Sequence, residues 1–189
     1  MQIANASYMS LDGVVQQPEL WTFDYRGDDI TQATIDQLFG TDALIMGRQT
    51  YDVFAGHWPA VTDDIGFADR MNNMPKYVLS NSLEEPAWTN TTVLGGDLVV
   101  DRIRELKDRP GGTLLQYGYG PVTRLLLEHG LLDELRIWLH PLLVGDRPAG
   151  DLISAVGAQA VFELADVQRY ESGVVVLFYR DRRADSTAG

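Results

Sequence analysis

The sequence predicts an α/β fold with a mostly parallel central sheet whose last strands pair antiparallel. Short apolar runs alternate with amphipathic helical stretches from the amino terminus to residue 130, the pattern of successive βαβ units. After Gly130 no helical pattern recurs, and apolar runs separated by turn residues finish the chain. Size is the third observation. The 189 residues, 45% of them hydrophobic, fill one core of ordinary size, and two would be cramped. A single domain over 1–180 is expected, with 181–189, charged and then small and polar, as a frayed tail.

Ile3 to Met9 reads as the first strand, ended by the turn residues Ser10-Leu11-Asp12-Gly13. Gln16 to Asp29 mixes Pro, Trp, Phe, Tyr and acids. It is too aromatic for a linker and is expected as a packed, functional loop. Thr31 to Phe39 carries Ile35, Leu38 and Phe39 on one helical face, with Gly40 where a left-handed cap would sit. Ala43 to Met46 is a strand, and Arg48 to Ala55 a helix through Tyr51 and Phe54 that His57-Trp58-Pro59 breaks. Another helix is expected over Ile65 to Asn72.

Lys76 to Leu79 and Thr91 to Leu94 are short strands. Asp97 is placed to cap a helix with Val99, Ile103 and Leu106 inward, stopped by Pro110-Gly111-Gly112. Thr113 to Tyr117 is a strand. Pro121 then opens a helix with Val122, Leu125 and Leu126 inward, and Gly130 closes it. Glu134 to Val144, ELRIWLHPLLV, is long and apolar enough to cross a core as a strand. Val161 to Ala165 and Val174 to Tyr179 follow as the last two strands.

Charge and composition exclude several classes. Acidic residues number 27 against 15 basic, a net charge of -12, with no Lys/Arg cluster, so nucleic acids and anionic membranes are not expected partners. Zero cysteines exclude disulfides, thiolate metal sites and a thiol nucleophile. His57, His129 and His140 show no paired metal spacing, so no metal is expected. No window is apolar for the length of a membrane span and the amino terminus lacks a signal pattern, so a cytoplasmic location is the expectation.

Two strand-to-helix junctions hold glycines: Met46-Gly47-Arg48 and Tyr117-Gly118-Tyr119-Gly120-Pro121. In an open α/β sheet, ligands bind beyond the carboxyl ends of the strands, where helix N-termini present unpaired N–H groups to anions. Arg48 adds a forked, permanently charged donor set, although it could equally pair with a surface acid. Two such junctions suit a ligand with two ends to hold, as a dinucleotide has.

ALIMGRQTY, Ala43 to Tyr51, resembles the strand and helix start of dihydrofolate reductases, an apolar run followed by Met-Gly-Arg-x-Thr-aromatic. Ser10-Leu11-Asp12-Gly13, Tyr77-Val78-Leu79-Ser80 and Gly118-Tyr119-Gly120 follow in that family's order. Ser-Leu-Asp-Gly near the start and Gly130-Leu131-Leu132-Asp133-Glu134-Leu135 resemble the reductase domain of bifunctional riboflavin-biosynthesis enzymes more closely. The resemblance covers Ile3 to Tyr179. It implies the three-layer dihydrofolate-reductase-like fold, with an antiparallel C-terminal strand pair and flanking helices, and an NADPH-dependent reductase, with NADH as the alternative donor.

Carried over residue by residue, the resemblance puts Gly47, Arg48 and Thr50 on the phosphates and the 2′-phosphate side of the adenosine. It puts Leu79, Ser80 and Asn81 beside the adenine ribose, and Gly118, Tyr119 and Gly120 under the pyrophosphate and nicotinamide. It also implies a small-molecule substrate and a homodimer. Folate-reducing members place a carboxylate a few residues after a Trp. Here Trp21 is followed by Asp24, Arg26, Asp28 and Asp29 at other spacings, and Met74 stands where an arginine would clasp folate, so folate is not the expected substrate.

The substrate side falls to Asp12, Trp21 and Tyr25, the aromatics by stacking on a flat ring, against a bland reading in which they fasten the loop and its turn. Asp24, between Phe23 and Tyr25, is the candidate general acid, its pKa raised by an apolar setting, with solvent water as the alternative donor. His140 reads as a satisfied core or cleft residue, and Trp138 as core or subunit interface. The expected reaction is hydride delivery to a small heterocycle, imine or carbonyl. The alternatives are reduction of a ribosylaminopyrimidine of the riboflavin pathway, and a non-catalytic binding protein that retained the fold.

Overall fold

The computed structural model describes residues 1–182, and most of the expected tail lies outside the described residues. Two compact units are formed, one by Met1–Ile3 with Thr34–Tyr117, the other by Ala4–Ala33 with the chain from Gly118 onward. The chain passes between them within strand β1 (Gln2–Ser10) and within helix α1 (Asp28–Phe39), so neither unit is one continuous segment. The fold is α/β with a mixed central sheet, an antiparallel C-terminal strand pair and flanking helices, as the residue pattern and the family resemblance had indicated.

In the first unit four parallel strands lie in the order β4 (Thr91–Leu94), β3 (Lys76–Leu79), β2 (Thr41–Gly47), β5 (Thr113–Tyr117). Ala43, Leu44, Ile45 and Met46 are each 3% exposed or less. Burying side chains of this size contributes about 1.5 to 3 kcal/mol for each large one, which explains a run with no polar alternation. The register sets Gly47 beside Leu79 and Leu79 beside Leu94, so the carboxyl ends of β2, β3 and β4 are level. Helices α2 (Arg48–His57), α3 (Phe67–Asn73) and α4 (Val99–Lys107) belong to this unit.

The second unit runs β1, β6 (Glu134–His140), β8 (Val175–Asp181), β7 (Phe162–Arg169), with β1 and β6 parallel and the other pairs antiparallel. Helix α5 (Pro121–Glu128) turns Val122, Thr123, Leu126 and Leu127 inward. The expected inward Leu125 is only half-buried, and Leu127 takes that place. Other expectations shift at element ends. Leu98, not Asp97, precedes α4 as its cap, and Gly40 is absent from the left-handed glycines that follow the expected pattern at Gly130. The long strand stops at His140, because Pro141 has no N–H to continue the ladder. Strand β8 takes in Asp181, buried at 3% exposure, the first residue of the expected tail.

Candidate functional site

In the first unit, β2 ends on Gly47, which caps α2 in an extended conformation with φ -83°. Any residue could adopt that angle, so the glycine is not demanded by the backbone. What it supplies is the absence of a side chain. No side-chain cap bonds the first turn of α2, so its first amide groups lack an acceptor of that kind. Arg48 stands at the first helical position. Its Nε donates to both carboxylate oxygens of Asp52, at 2.8 and 2.9 Å, in an exposed i,i+4 pair. The surface-acid reading of Arg48 is therefore realised, and its terminal guanidinium nitrogens make no hydrogen bond among the described residues. Thr50, half-buried, lies in the same first turn.

Next to Gly47, Leu79 leads into Ser80 and Asn81, and both side chains serve the local backbone. Ser80 Oγ accepts the N–H groups of Ser82 and Leu83, while Asn81 Oδ1 accepts that of Gly96 at 2.7 Å. A Cβ on Gly95 would meet the Ser80 carbonyl oxygen at 2.5 Å and Asn81 Oδ1 at 3.0 Å. Gly95 and Gly96, directly after β4, thus join Ser80 and Asn81 in one cradle. The signal for them in the sequence is a Gly-Gly pair directly after a strand. Gly47, Arg48, Thr50, Leu79, Ser80 and Asn81 are brought together at the level carboxyl ends of β2 and β3.

In the second unit, the turn Gly118-Tyr119-Gly120 precedes α5. Gly118 has φ +81°, a conformation that favours glycine, and Gly120 is extended. The Tyr119 phenol is pushed up in pKa by burial and stays protonated.

Asp12 is held inside its own loop system. It accepts the Ser10 hydroxyl at 2.5 Å, the Val144 N–H at 3.2 Å and the Gly145 N–H at 2.9 Å. The Ser10 hydroxyl and then the Gly145 amide hold its pKa down to about 2. The carboxylate therefore staples the turn after β1 to the turn after β6, which favours the fastening role over ligand contact. Trp21 is 9% exposed, with Nε1 donating to the Gln16 carbonyl at 3.0 Å.

The Trp21 and Tyr25 rings both meet the imidazole of His140 nearly perpendicular, at centroid distances of 5.5 and 5.6 Å, and Tyr8 adds a third contact at 5.1 Å. His140 is 2% exposed. Its Nδ1 lies 2.9 Å from the Trp138 carbonyl, so Nδ1 carries the proton, and burial lowers the pKa and keeps the ring neutral. Opposite Ser10 at the carboxyl end of β6, His140 is the centre on which the loop aromatics converge. His140 is thus the satisfied, buried residue that the sequence led one to expect, and only the rings gathered around it are hidden by an apolar strand. Trp138 is core, 3% exposed and stacked on Tyr170 at 6.0 Å.

Asp24 is not enclosed. It is exposed, and Phe23 beside it is 65% exposed with the Arg26 guanidinium over its ring. The enclosing apolar setting expected of Asp24 is missing, because the local order Phe-Asp-Tyr does not determine which way the side chains face.

The family model of the RibD C-terminal domain matches residues 2–176. The uncharacterized protein YyaP of Bacillus subtilis is 24% identical over 174 residues, covering 90% of each chain. Among solved structures, a putative riboflavin biosynthesis protein from Shewanella sp. PV-4 superposes with a TM-score of 0.73 at 21% identity, covering 97% of this chain and all of that one. The bifunctional diaminohydroxyphosphoribosylaminopyrimidine deaminase/5-amino-6-(5-phosphoribosylamino)uracil reductase of Thermotoga maritima gives 0.61 at 18% identity, covering 95% of this chain and 56% of that one. Dihydrofolate reductase from Enterococcus faecalis, complexed with NADP(H), gives 0.58 at 15% identity, covering 96% of both. At these identities the superpositions establish the fold alone, whereas the family model spans nearly the whole chain, with the strand ends Gly47 and Leu79 and the turn at Gly118 inside it: the chain belongs to the RibD C-terminal domain family.

Proposed function

We propose that the chain is an NADPH-dependent reductase delivering hydride to a flat heterocycle or a related C=N or C=O group. The observation that carries this reading is the uncapped first turn of α2, which places Arg48 directly after a buried strand in a reductase-type family. Gly47, Arg48 and Thr50 would meet the phosphates and the 2′-phosphate, and Leu79, Ser80 and Asn81 the adenine ribose. Gly118, Tyr119 and Gly120 would meet the pyrophosphate and nicotinamide. When bound, the cofactor supplies the hydride, and the chain orients the reactants and excludes water. Trp21 and Tyr25 would stack on or border the substrate ring, with Asp12 fastening the turns after β1 and β6. The proton comes from solvent, since Asp24 is exposed.

A substrate of the 5-amino-6-ribosylaminopyrimidine type is the specific version of this reading, supported by the family and by the solved reductases named above. The exposure of Asp24 favours a second reading, a binding protein of the same fold without turnover. For assembly we propose a homodimer in the cytoplasm. Strand β7, with Val161 just before it, exposes Val161, Leu164 and Val167 at 57, 51 and 44%, an edge that a second copy would cover. A sedimentation mass near the 21.0 kDa of one chain would remove the dimer. Among the described residues no helix is long and apolar enough to cross a membrane.

Fluorescence titration with NADPH and NADH, followed by oxidation assays over pterins, flavin precursors and quinoid compounds, tests the function. Arg48→Ala should weaken NADPH about tenfold and leave NADH nearly unchanged, since an exposed charge-assisted contact falls at the low end of about 1.5 to 3 kcal/mol. Equal loss for both cofactors would remove Arg48 from the 2′-phosphate. Binding without oxidation across the panel would favour the second reading.

A further inference from the structure

The main-chain polar groups of the turn Gly118-Tyr119-Gly120 can be followed one by one. The Gly118 N–H donates to the Ala6 carbonyl at 3.2 Å, and the Gly118 carbonyl accepts the Asn5 side-chain amide at 2.7 Å. The Tyr119 carbonyl accepts the Gln16 side-chain amide at 2.9 Å. The Gly120 N–H donates to Thr123 Oγ1 at 3.2 Å, and the Gly120 carbonyl accepts the Arg124 N–H at 3.0 Å. One group is left over. The Tyr119 N–H has no hydrogen-bond partner among the described residues.

The side chains that hold this turn are unusual for their positions. Asn5 and Thr123 are fully buried, on a strand and a helix where an apolar residue would pack as well. Asn5 Nδ2 also lies 3.5 Å from Thr123 Oγ1, and Asn5 Oδ1 accepts the hydroxyl of Ser7, itself 2% exposed, at 2.8 Å. Burying three polar side chains is tolerated because each is satisfied by another or by the turn. A network that only joined β1 to α5 would not need to reach Gly118 and Gly120. This one ends on both glycines that flank the free amide.

We infer that Asn5 and Thr123 are positioning residues that hold the glycine turn so that the Tyr119 N–H is presented as its single main-chain donor to an anionic or carbonyl-bearing group of the bound ligand. The inference rests on the cofactor reading above and adds to it which atom donates and what sets that atom in place. The flanking Gly118, at φ +81°, gives the chain the reversal this arrangement needs. Asn5, through the Gly118 carbonyl, holds the opposite edge of the peptide unit that carries the Tyr119 N–H, so the amide cannot rotate away without breaking that contact, and Gln16 fixes the next peptide through the Tyr119 carbonyl. Neither Asn5 nor Thr123 needs to touch the ligand.

The test uses the full chain, uniformly labelled with ¹⁵N, titrated with NADPH and separately with 2′,5′-ADP. In the wild type, NADPH should move the Tyr119 amide proton downfield and 2′,5′-ADP should leave it in place. Thr123→Val, close to isosteric, should weaken NADPH about tenfold without changing 2′,5′-ADP affinity, the size expected when one hydrogen-bonded support is lost. Thr123→Ser, which keeps the hydroxyl, should restore NADPH affinity, and Asn5→Ala should repeat the Thr123→Val result.

A merely structural role would lower stability in both Thr123→Val and Asn5→Ala while leaving the affinity ratio of the two ligands unchanged, and that result would overturn the inference. So would wild-type NADPH binding with the Tyr119 amide unmoved. Failure of the wild type to bind NADPH at all would overturn the reductase reading together with this one.

Discussion

Lys76 opens β3 as a fully buried cation without a carboxylate partner among the described residues. Its ammonium donates to the carbonyls of Asn72 and Met74 at 2.8 Å and of Thr89 at 3.0 Å, and it lies 4.4 Å from the centroid of the Trp88 ring. Desolvation brings its pKa down from 10.5 to about 8. The sign of the linkage follows. Between these two values the unfolded chain keeps the proton and the folded chain releases it, so unfolding takes up protons and stability from this group rises with pH. Its contribution is full above about 10.5 and lost as pH falls through about 8.

At about 1.4 kcal/mol per unit the shift corresponds to about 3 kcal/mol as an upper bound, and the high effective dielectric that buried charges experience in proteins reduces this to about 1 to 2 kcal/mol. Lys76→Met keeps the stem and the ring contact but removes the titration and leaves three carbonyls without their donor. At pH 7.5 the variant should be destabilised by about 1 to 3 kcal/mol. Urea unfolding of both proteins at pH 7.5 and pH 10 then reads the difference directly. The wild type should gain about 1 to 2 kcal/mol on the variant over that interval. A difference that stays flat or shrinks would refute the idea that the ammonium is held against its desolvation by carbonyls alone.

Gly95→Ala should cost about 1 to 3 kcal/mol in thermal unfolding and weaken 2′,5′-ADP, because the new Cβ would sit 2.5 Å from the Ser80 carbonyl oxygen and push the Ser80-Asn81 cradle aside. Unchanged affinity would detach that cradle from the adenosine end. Gly120→Val should fold, judged by circular dichroism, since a Cβ there meets nothing within 4 Å, and should lose NADPH binding; normal affinity would mean the ligand does not approach this turn. Once a substrate is found, Asp24→Asn should leave the pH–rate profile as in the wild type, and disappearance of an acid limb would instead make Asp24 the donor.

Local chemistry alone determined much of this protein. The apolar run Ala43 to Met46 can only be a buried strand, and the glycine and cation that end it mark a helix start on a level sheet edge. Pro121 and Gly130 bracketed α5 for equally local reasons, a missing N–H at one end and a left-handed angle at the other. What a side chain meets across the fold is another matter. Asp12 finds the amides of Val144 and Gly145, 132 and 133 residues away, and Asn5 finds the Gly118 carbonyl 113 residues away.

Trp21 and Tyr25 could be read as ring-stacking residues, but not that His140 is what they surround. Asp24 could be read as flanked by aromatics, but not that Phe23 turns outward while Tyr25 packs on His140, which leaves the carboxylate exposed. Periodicity along the chain reports which residues seek the interior. It carries no record of which distant strand arrives beside them, and hydrogen bonds, pKa shifts and the closing of a carboxylate inside a loop all depend on that arrival.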